Sequence, residues 1–144
     1  MTRFMKLLVT SLTLSLGMLV AQVAMGADDS ANVKVVKKFY AELNQKNLKA
    51  APTVLAKTLR QTYLPGAPRE DTAEDVRDHM AAVYKVVPDL KYDLNNVASQ
   101  GDVVFTSWTA TGTRDAKPFK MEGMTMFRVS RGKIVSMVVA MGKC

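Results

Sequence analysis

The 144-residue sequence has little of the chemistry that most enzymes use. It holds one cysteine, one histidine and one tryptophan. The cysteine is Cys144, the last residue, so an internal disulfide is excluded; the thiol is left to cross-link a second copy or to stay free on a frayed tail. One histidine and one cysteine cannot make a zinc site of the usual Cys and His type. No tight acid cluster suggests a carboxylate metal site, and neither a metal nor a cofactor is expected. Blocks of one charge are missing too. Lys and Arg number 20 against 13 Asp and Glu, a net of +7, but the basic residues are scattered. Lys34, Lys37 and Lys38 gather on one predicted helix, and Lys117 and Lys120 flank a turn. A nucleic-acid reader needs a basic stripe with interleaved aromatics. Aromatics make up only 7% of the chain, so the expectation is a solvated basic face and no nucleic-acid partner. Repeats and low-complexity runs are absent, which leaves one domain.

What is present begins with a leader. Arg3 and Lys6 are followed by a charge-free stretch from Leu7 to Ala27, apolar as far as Val20 and then mostly small. Charge, greasy helix and small residues form the order of a secretory signal. The competing reading is an uncleaved anchor, since the apolar stretch approaches the roughly 20 residues that span a bilayer. The small residues Ala24-Met25-Gly26 favour cleavage there. Residues 1–26 are therefore read as a signal peptide and 27–144 as the domain, with a periplasmic or secreted location and no stable membrane anchor after cleavage.

Hydrophobic periodicity then gives the elements. Ser30 can cap a first helix whose apolar stripe is Val36, Phe39, Tyr40 and Leu43. Leu48, Ala51, Leu55 and Leu59 suggest a second, shorter helix with Pro52 in its first turn, and Gln61 to Leu64 a short strand. Two prolines mark 64–68 as a turn or loop. Thr72 with Asp75 reads as a variant capping box for a third helix carrying Val76, Met80, Val83, Tyr84 and Val87, stopped by Pro88. Strands follow at 91–100, 103–113, 119–130 and 133–141, with turns at Gly101-Asp102 and Arg131-Gly132. Helices first and antiparallel strands after is an α+β order. In the last strand Ile134, Val138 and Ala140 alternate with Val135, Met137, Val139 and Met141, so both faces are apolar. A sheet open to water shows polar residues on its outer side. Either a second copy covers the outer face or the strand is central in a wide core; a homodimer is expected.

The ordered set of segments VKKFYAEL (36–43), EDVRDHMAAVYKVVPDL (74–90), GDVVFTSWTATGT (101–113) and EGMTMFRVSRGKIV (122–135) resembles the SnoaL-like branch of the NTF2-like superfamily, the polyketide cyclase and ester cyclase group. The resemblance spans nearly all of the domain. It implies a cone: a curved antiparallel sheet wrapped around N-terminal helices, with a pocket at the open end. It also implies where an acid belongs. In these cyclases an aspartate on the last strand serves an intramolecular aldol closure; that position falls on Val139, and a family histidine position falls on Met137. A second family histidine position is occupied by Arg114, and a further polar position falls about Thr62 or Tyr63. The scaffold is present and the cyclase acid is not. Fold does not by itself settle role.

The remaining chemistry is sparse. Strand alternation predicts that Met124 and Met126 share an inward face, as do Met137 and Met141, giving a soft, adaptable cavity wall or simply core filler. His79, at the edge of a helical stripe, is the one candidate base, or a structural imidazole beside Asp78. Trp108 is a core or pocket wall able to stack on a flat ligand. Arg114 can bind an anionic group at the mouth or serve as surface charge. Tyr40, Tyr63 and Tyr84 can each lend a hydroxyl. Three readings stay open. The leading one is a protein that binds a small apolar molecule, with Trp108, Arg114, Met124, Met126, Met137, Val139 and Met141 as its contacts. The second is an isomerase, cyclase or hydrolase using His79 or a tyrosine. The third is a dimeric interaction module using the outer sheet face.

Overall fold

The computed structural model describes residues 30–142. The leader, its cleavage site and Cys144 lie outside the described residues. Two helices and a six-stranded sheet form the domain: α1 Ala31–Asn44, a 3-10 turn Ala51–Val54, β1 Leu55–Tyr63, β2 Arg69–Thr72, α2 Ala73–Val86, β3 Lys91–Gln100, β4 Val103–Arg114, β5 Lys117–Ser130 and β6 Lys133–Met141. The order across the sheet is β2-β1-β6-β5-β4-β3. Every pairing is antiparallel except β1 with β6, which is parallel. The α+β cone expected from the sequence is the observed architecture.

Both helices start where their caps sit. The Ser30 side chain accepts from the Val33 N–H at 3.2 Å. Thr72 and Asp75 exchange bonds in a complete capping box, the Thr72 N–H donating to the Asp75 carboxylate at 2.8 Å. The apolar stripe of α1 packs into the concave face of the sheet. Phe39, Tyr40 and Phe127 meet edge to face, with centroids 5.8 to 6.2 Å apart. Asn44 locks the far end of α1 to the edge strand: its amide donates to the Tyr92 carbonyl and accepts from the Tyr92 N–H, both at 2.7 Å.

The second helix expected from Leu48 to Leu59 does not form. A single 3-10 turn carries Pro52, and Leu55 already belongs to β1. Leu55 and Leu59 are both buried, but residues four apart share a strand face as well as a helix face. Propensity breaks the tie, since Thr58, Thr62 and Tyr63 favour a strand. The strand expected at 61–64 is thus the end of a nine-residue strand.

Two bulges in the antiparallel pairs set which side chains face inward, and the parallel β1–β6 pair also shifts register between Leu55 and Arg60. On β6, Arg128 pairs with Ser136 but Val129 pairs with Ile134, so Val135 is an extra residue. The slip puts Ile134 on the same inner face as Met137, Val139 and Met141, with Ser136, Val138 and Ala140 outside. On β3 the extra residue is Asn95, between the pairs Leu94–Trp108 and Asn96–Ser107. The β5–β6 turn is Arg131-Gly132, with φ of 50° and 73°, as a two-residue hairpin requires. The β4–β5 turn is shorter than the sequence suggests: Asp115 and Ala116, at φ of 51° and 58°, close it directly from Arg114 to Lys117.

Candidate functional site

The concave side of the sheet, α1 and α2 enclose a cavity of about 190 Å3. One water needs only about 10–15 Å3 by the same measure, so there is room for a small organic molecule. The wall is mostly apolar. Phe39, Tyr40 and Leu43 come from α1, and Val76, Met80, Val83 and Val87 from α2 and its end. The sheet supplies Trp108, Met121, Phe127, Met137 and Val139, among others.

Trp108 is 4% exposed and lines this wall. Its indole N–H donates to the Thr125 hydroxyl at 2.9 Å, and its ring meets Tyr92 edge to face with centroids 5.5 Å apart. It fits because the residue opposite on β5 is Gly123, where a Cβ would stand 2.4 Å from the indole. Tyr40 and Thr106 share a hydrogen bond of 3.1 Å behind the same wall. These partners satisfy the buried polar atoms of Tyr40 and Trp108 within the protein. Burial pushes the Tyr40 phenol up, against the hydrogen bonds from Thr106 and Thr125 that pull it down. The Tyr84 hydroxyl donates to the Leu43 carbonyl at 2.6 Å, and burial pushes that phenol up to about 12. Neither Tyr40 nor Tyr84 is a base at neutral pH.

The expected methionine wall is half displaced. Met137, Val139 and Met141 line the cavity. Met124 and Met126 do not; they lie on the outer face of the sheet, Met124 being 62% exposed. The phase of β5 is fixed by Phe127 and Val129, 1% and 2% exposed, which puts Met121 and Thr125 inward and the even-numbered methionines outward. Arg114 also stays off the wall. It is exposed, and its guanidinium lies over the ring of Phe119, 5.3 Å from the centroid, while Phe119 itself lines the cavity.

Polar groups gather at the end where β1, β2 and α2 meet. His79 is exposed, lines this end, and sits with its ring 6.3 Å from that of Tyr63. The Arg69 guanidinium lies over the Tyr63 ring, 5.5 Å from its centroid, and pairs with Asp71 at 2.8 Å. Burial raises the Tyr63 phenol pKa; Arg69 lowers it and Asp71 raises it by smaller amounts. Tyr63 is therefore a hydrogen-bond donor at neutral pH. Asp75 also borders this end, its carboxyl held below the ordinary 3.8 by the backbone N–H and then the hydroxyl of Thr72. Among the described residues no group of three His, Cys, Asp or Glu is arranged to hold a metal ion.

Deeper along β1, one strand repeat inside Tyr63, lies Gln61. It is 2% exposed and lines the cavity, and its Nε2 has no hydrogen-bond partner. Gln61, Arg69 and Asp71 were not singled out in the sequence. Reading 55–59 as a helix hid the inward parity of β1. The signal was the alternation Leu59, Gln61, Tyr63, with a glutamine where a core strand should carry an apolar residue.

The family model for the SnoaL-like domain matches residues 36–137. No curated protein matches the chain in sequence. Among solved structures, the chain is similar to a Jannaschia sp. CCS1 protein described as a SnoaL-like polyketide cyclase, at 19% identity and a TM-score of 0.70, over 81% of this chain and 91% of the other. IdmH from Streptomyces antibioticus, described as a polyketide cyclase, matches at 21% identity and 0.69, over 76% and 91%. An LEH-like epoxide hydrolase of M. tuberculosis matches at 12% and 0.68, over 78% and 83%. At these identities the neighbours establish the fold alone, a cone with its cavity between the sheet and two helices. With the family match extending from α1 to Met137, the chain belongs to the SnoaL-like domain family.

Proposed function

We propose that this is an exported SnoaL-like protein that binds a small hydrophobic molecule in its cone without cyclase chemistry. One observation carries the reading. Met137 and Val139 both line the cavity, and they stand where the family resemblance implies the histidine and acid of the cyclases. The two carboxylates that border the cavity are already engaged, Asp71 with Arg69 and Asp75 with Thr72. A wall this apolar favours binding by burial, worth about 25 cal/mol per Å2 of apolar surface removed from water. Titration with the neutral fluorophore N-phenyl-1-naphthylamine tests it. Saturable binding of one dye per chain, weakened at least about ten-fold by Val139→Trp, is expected, since the larger ring fills the cavity. Absence of saturable binding, or binding indifferent to Val139→Trp, overturns the reading. Export has its own test: N-terminal sequencing of the periplasmic or secreted protein should begin at Ala27, and a chain retained with its leader intact would contradict it.

A second reading, an isomerase, cyclase or hydrolase, is favoured by the grouping of His79, Tyr63, Arg69 and Asp71 at one end of the cavity. If it holds, His79→Ala and Tyr63→Phe abolish turnover of a bound ligand with melting temperature unchanged. Ligand recovered chemically intact after long incubation excludes it.

A further inference from the structure

Among the described residues two buried side-chain atoms lack a hydrogen-bond partner, Glu42 Oε2 and Gln61 Nε2. Glu42 does not line the cavity; Gln61 does. A primary amide carries two N–H donors, and native proteins rarely bury such a group without satisfying it. Nothing about β1 requires glutamine for folding. The backbone of Gln61 is paired on one side with Met137 and on the other with Arg69. Its inward neighbour Leu59 shows that an apolar side chain suits that face. The position is also set apart from the polar cluster at the mouth. Gln61 lies two positions before Tyr63, roughly 6–7 Å along a strand, so the amide lies inside the ring of Tyr63, Arg69 and His79. Two other polar groups of the deep wall have partners: Thr125 receives the Trp108 N–H, and Tyr40 is bonded to Thr106. Among the described residues Gln61 is the fully buried donor of the wall that is left without a partner.

We propose that Gln61 is the specificity-determining residue of the cavity, and that the ligand is a small hydrophobic molecule with one hydrogen-bond-accepting oxygen, a ketone or lactone carbonyl, which receives the Gln61 Nε2–H. The inference rests on the binding reading above and names its ligand class. A site that donates to a ligand oxygen discriminates against an isostere lacking it, because the buried donor then stays unpaired. The apolar wall alone would not distinguish the two.

The test is competition by a matched pair, 1-indanone and indane, against N-phenyl-1-naphthylamine, supported by amide chemical-shift changes in the full mature protein. The ketone should bind at least about ten-fold more tightly than the hydrocarbon, the size expected for an otherwise unpaired buried donor. Gln61→Met, close in length and without donors, should remove that preference while keeping indane affinity. Gln61→Glu should weaken 1-indanone further and favour 1-indanol, which can donate. Equal affinity of the pair in the unaltered protein, or a preference that survives Gln61→Met, overturns the role of Gln61 while leaving the cavity reading intact; a water bridging the amide would give that result. If neither compound competes or shifts any amide while the dye still binds, the ligand class named here is overturned and the cavity reading stands; if the dye does not bind either, both fall. Melting curves for both variants confirm that the comparison is between folded proteins.

Discussion

Gly123 decides where the tryptophan can lie. A Cβ there would stand 2.4 and 2.6 Å from two indole carbons and 2.8 Å from the Ala140 carbonyl, so neither the ring nor the backbone of β6 can be spared. Gly123→Ala should therefore destabilise the protein by about 1–3 kcal/mol, as overpacking does. It should also push the only tryptophan, Trp108, from the wall toward the cavity. A lowered melting temperature together with a shifted tryptophan emission is the expected result; an unshifted emission would mean that the ring does not rest on Gly123. The sequence carried Trp108 as a wall residue, but not the glycine that seats it. Cross-strand contacts depend on register, and register depends on bulges that no local pattern announces. The misplaced methionines have a plainer cause. Lys120, Glu122 and Arg128 share the parity of Met124 and Met126, whereas Phe119, Met121, Phe127 and Val129 share the other. Weighing the charges would have turned β5 the right way round.

Helix α2 is the element that joins stability to the site, because Val76, Met80 and Val83 wall the cavity and His79 stands at its mouth. Its start depends on the Thr72–Asp75 box. Thr72→Ala should cost about 0.5–2 kcal/mol and weaken dye binding by loosening that wall. The same box gives a pH dependence. The Asp75 carboxyl is held below its ordinary 3.8 by Thr72, and Asp89 below the same value by the N–H and hydroxyl of Thr113. A depressed carboxylate pKa contributes stability above the unfolded-state value, and that contribution is lost as pH falls through the lower folded-state value. Melting temperature should thus hold from neutral pH to about pH 4 and drop below it, with a smaller drop in the Asp75→Asn, Asp89→Asn double variant. A drop of equal size in the double variant would show that other groups govern the acid limb. The α2 cap was legible because a capping box is local. The β1 strand was not, because Leu55 and Leu59 satisfy both periods, and the strand propensity of Thr58, Thr62 and Tyr63 takes effect through pairing with β2 and with β6, which is distant in sequence.

At the scale of the molecule, the order of elements and the two-residue turns were enough to give the cone, since each helix could reach its apolar partner only across the concave face. The convex face is a separate matter. Phe105 and Met124, 45% and 62% exposed, stand there with Met126, Val138, Ala140 and Leu64 around a shallow groove, and Asn96 and Ser107 satisfy each other at 3.0 Å. An apolar sheet face of this kind argues for a second copy packed against it. Contact through a shared two-fold would bring the same residues from both chains together, so one charge introduced per chain places two like charges at the seam. Phe105→Glu should convert a dimer to a monomer in sedimentation velocity, with dye affinity preserved because the cavity lies on the opposite face of the sheet. A monomeric unaltered protein at micromolar concentration would end the argument for self-association. A dimer that survives both Phe105→Glu and Met124→Glu would move the seam elsewhere on the domain.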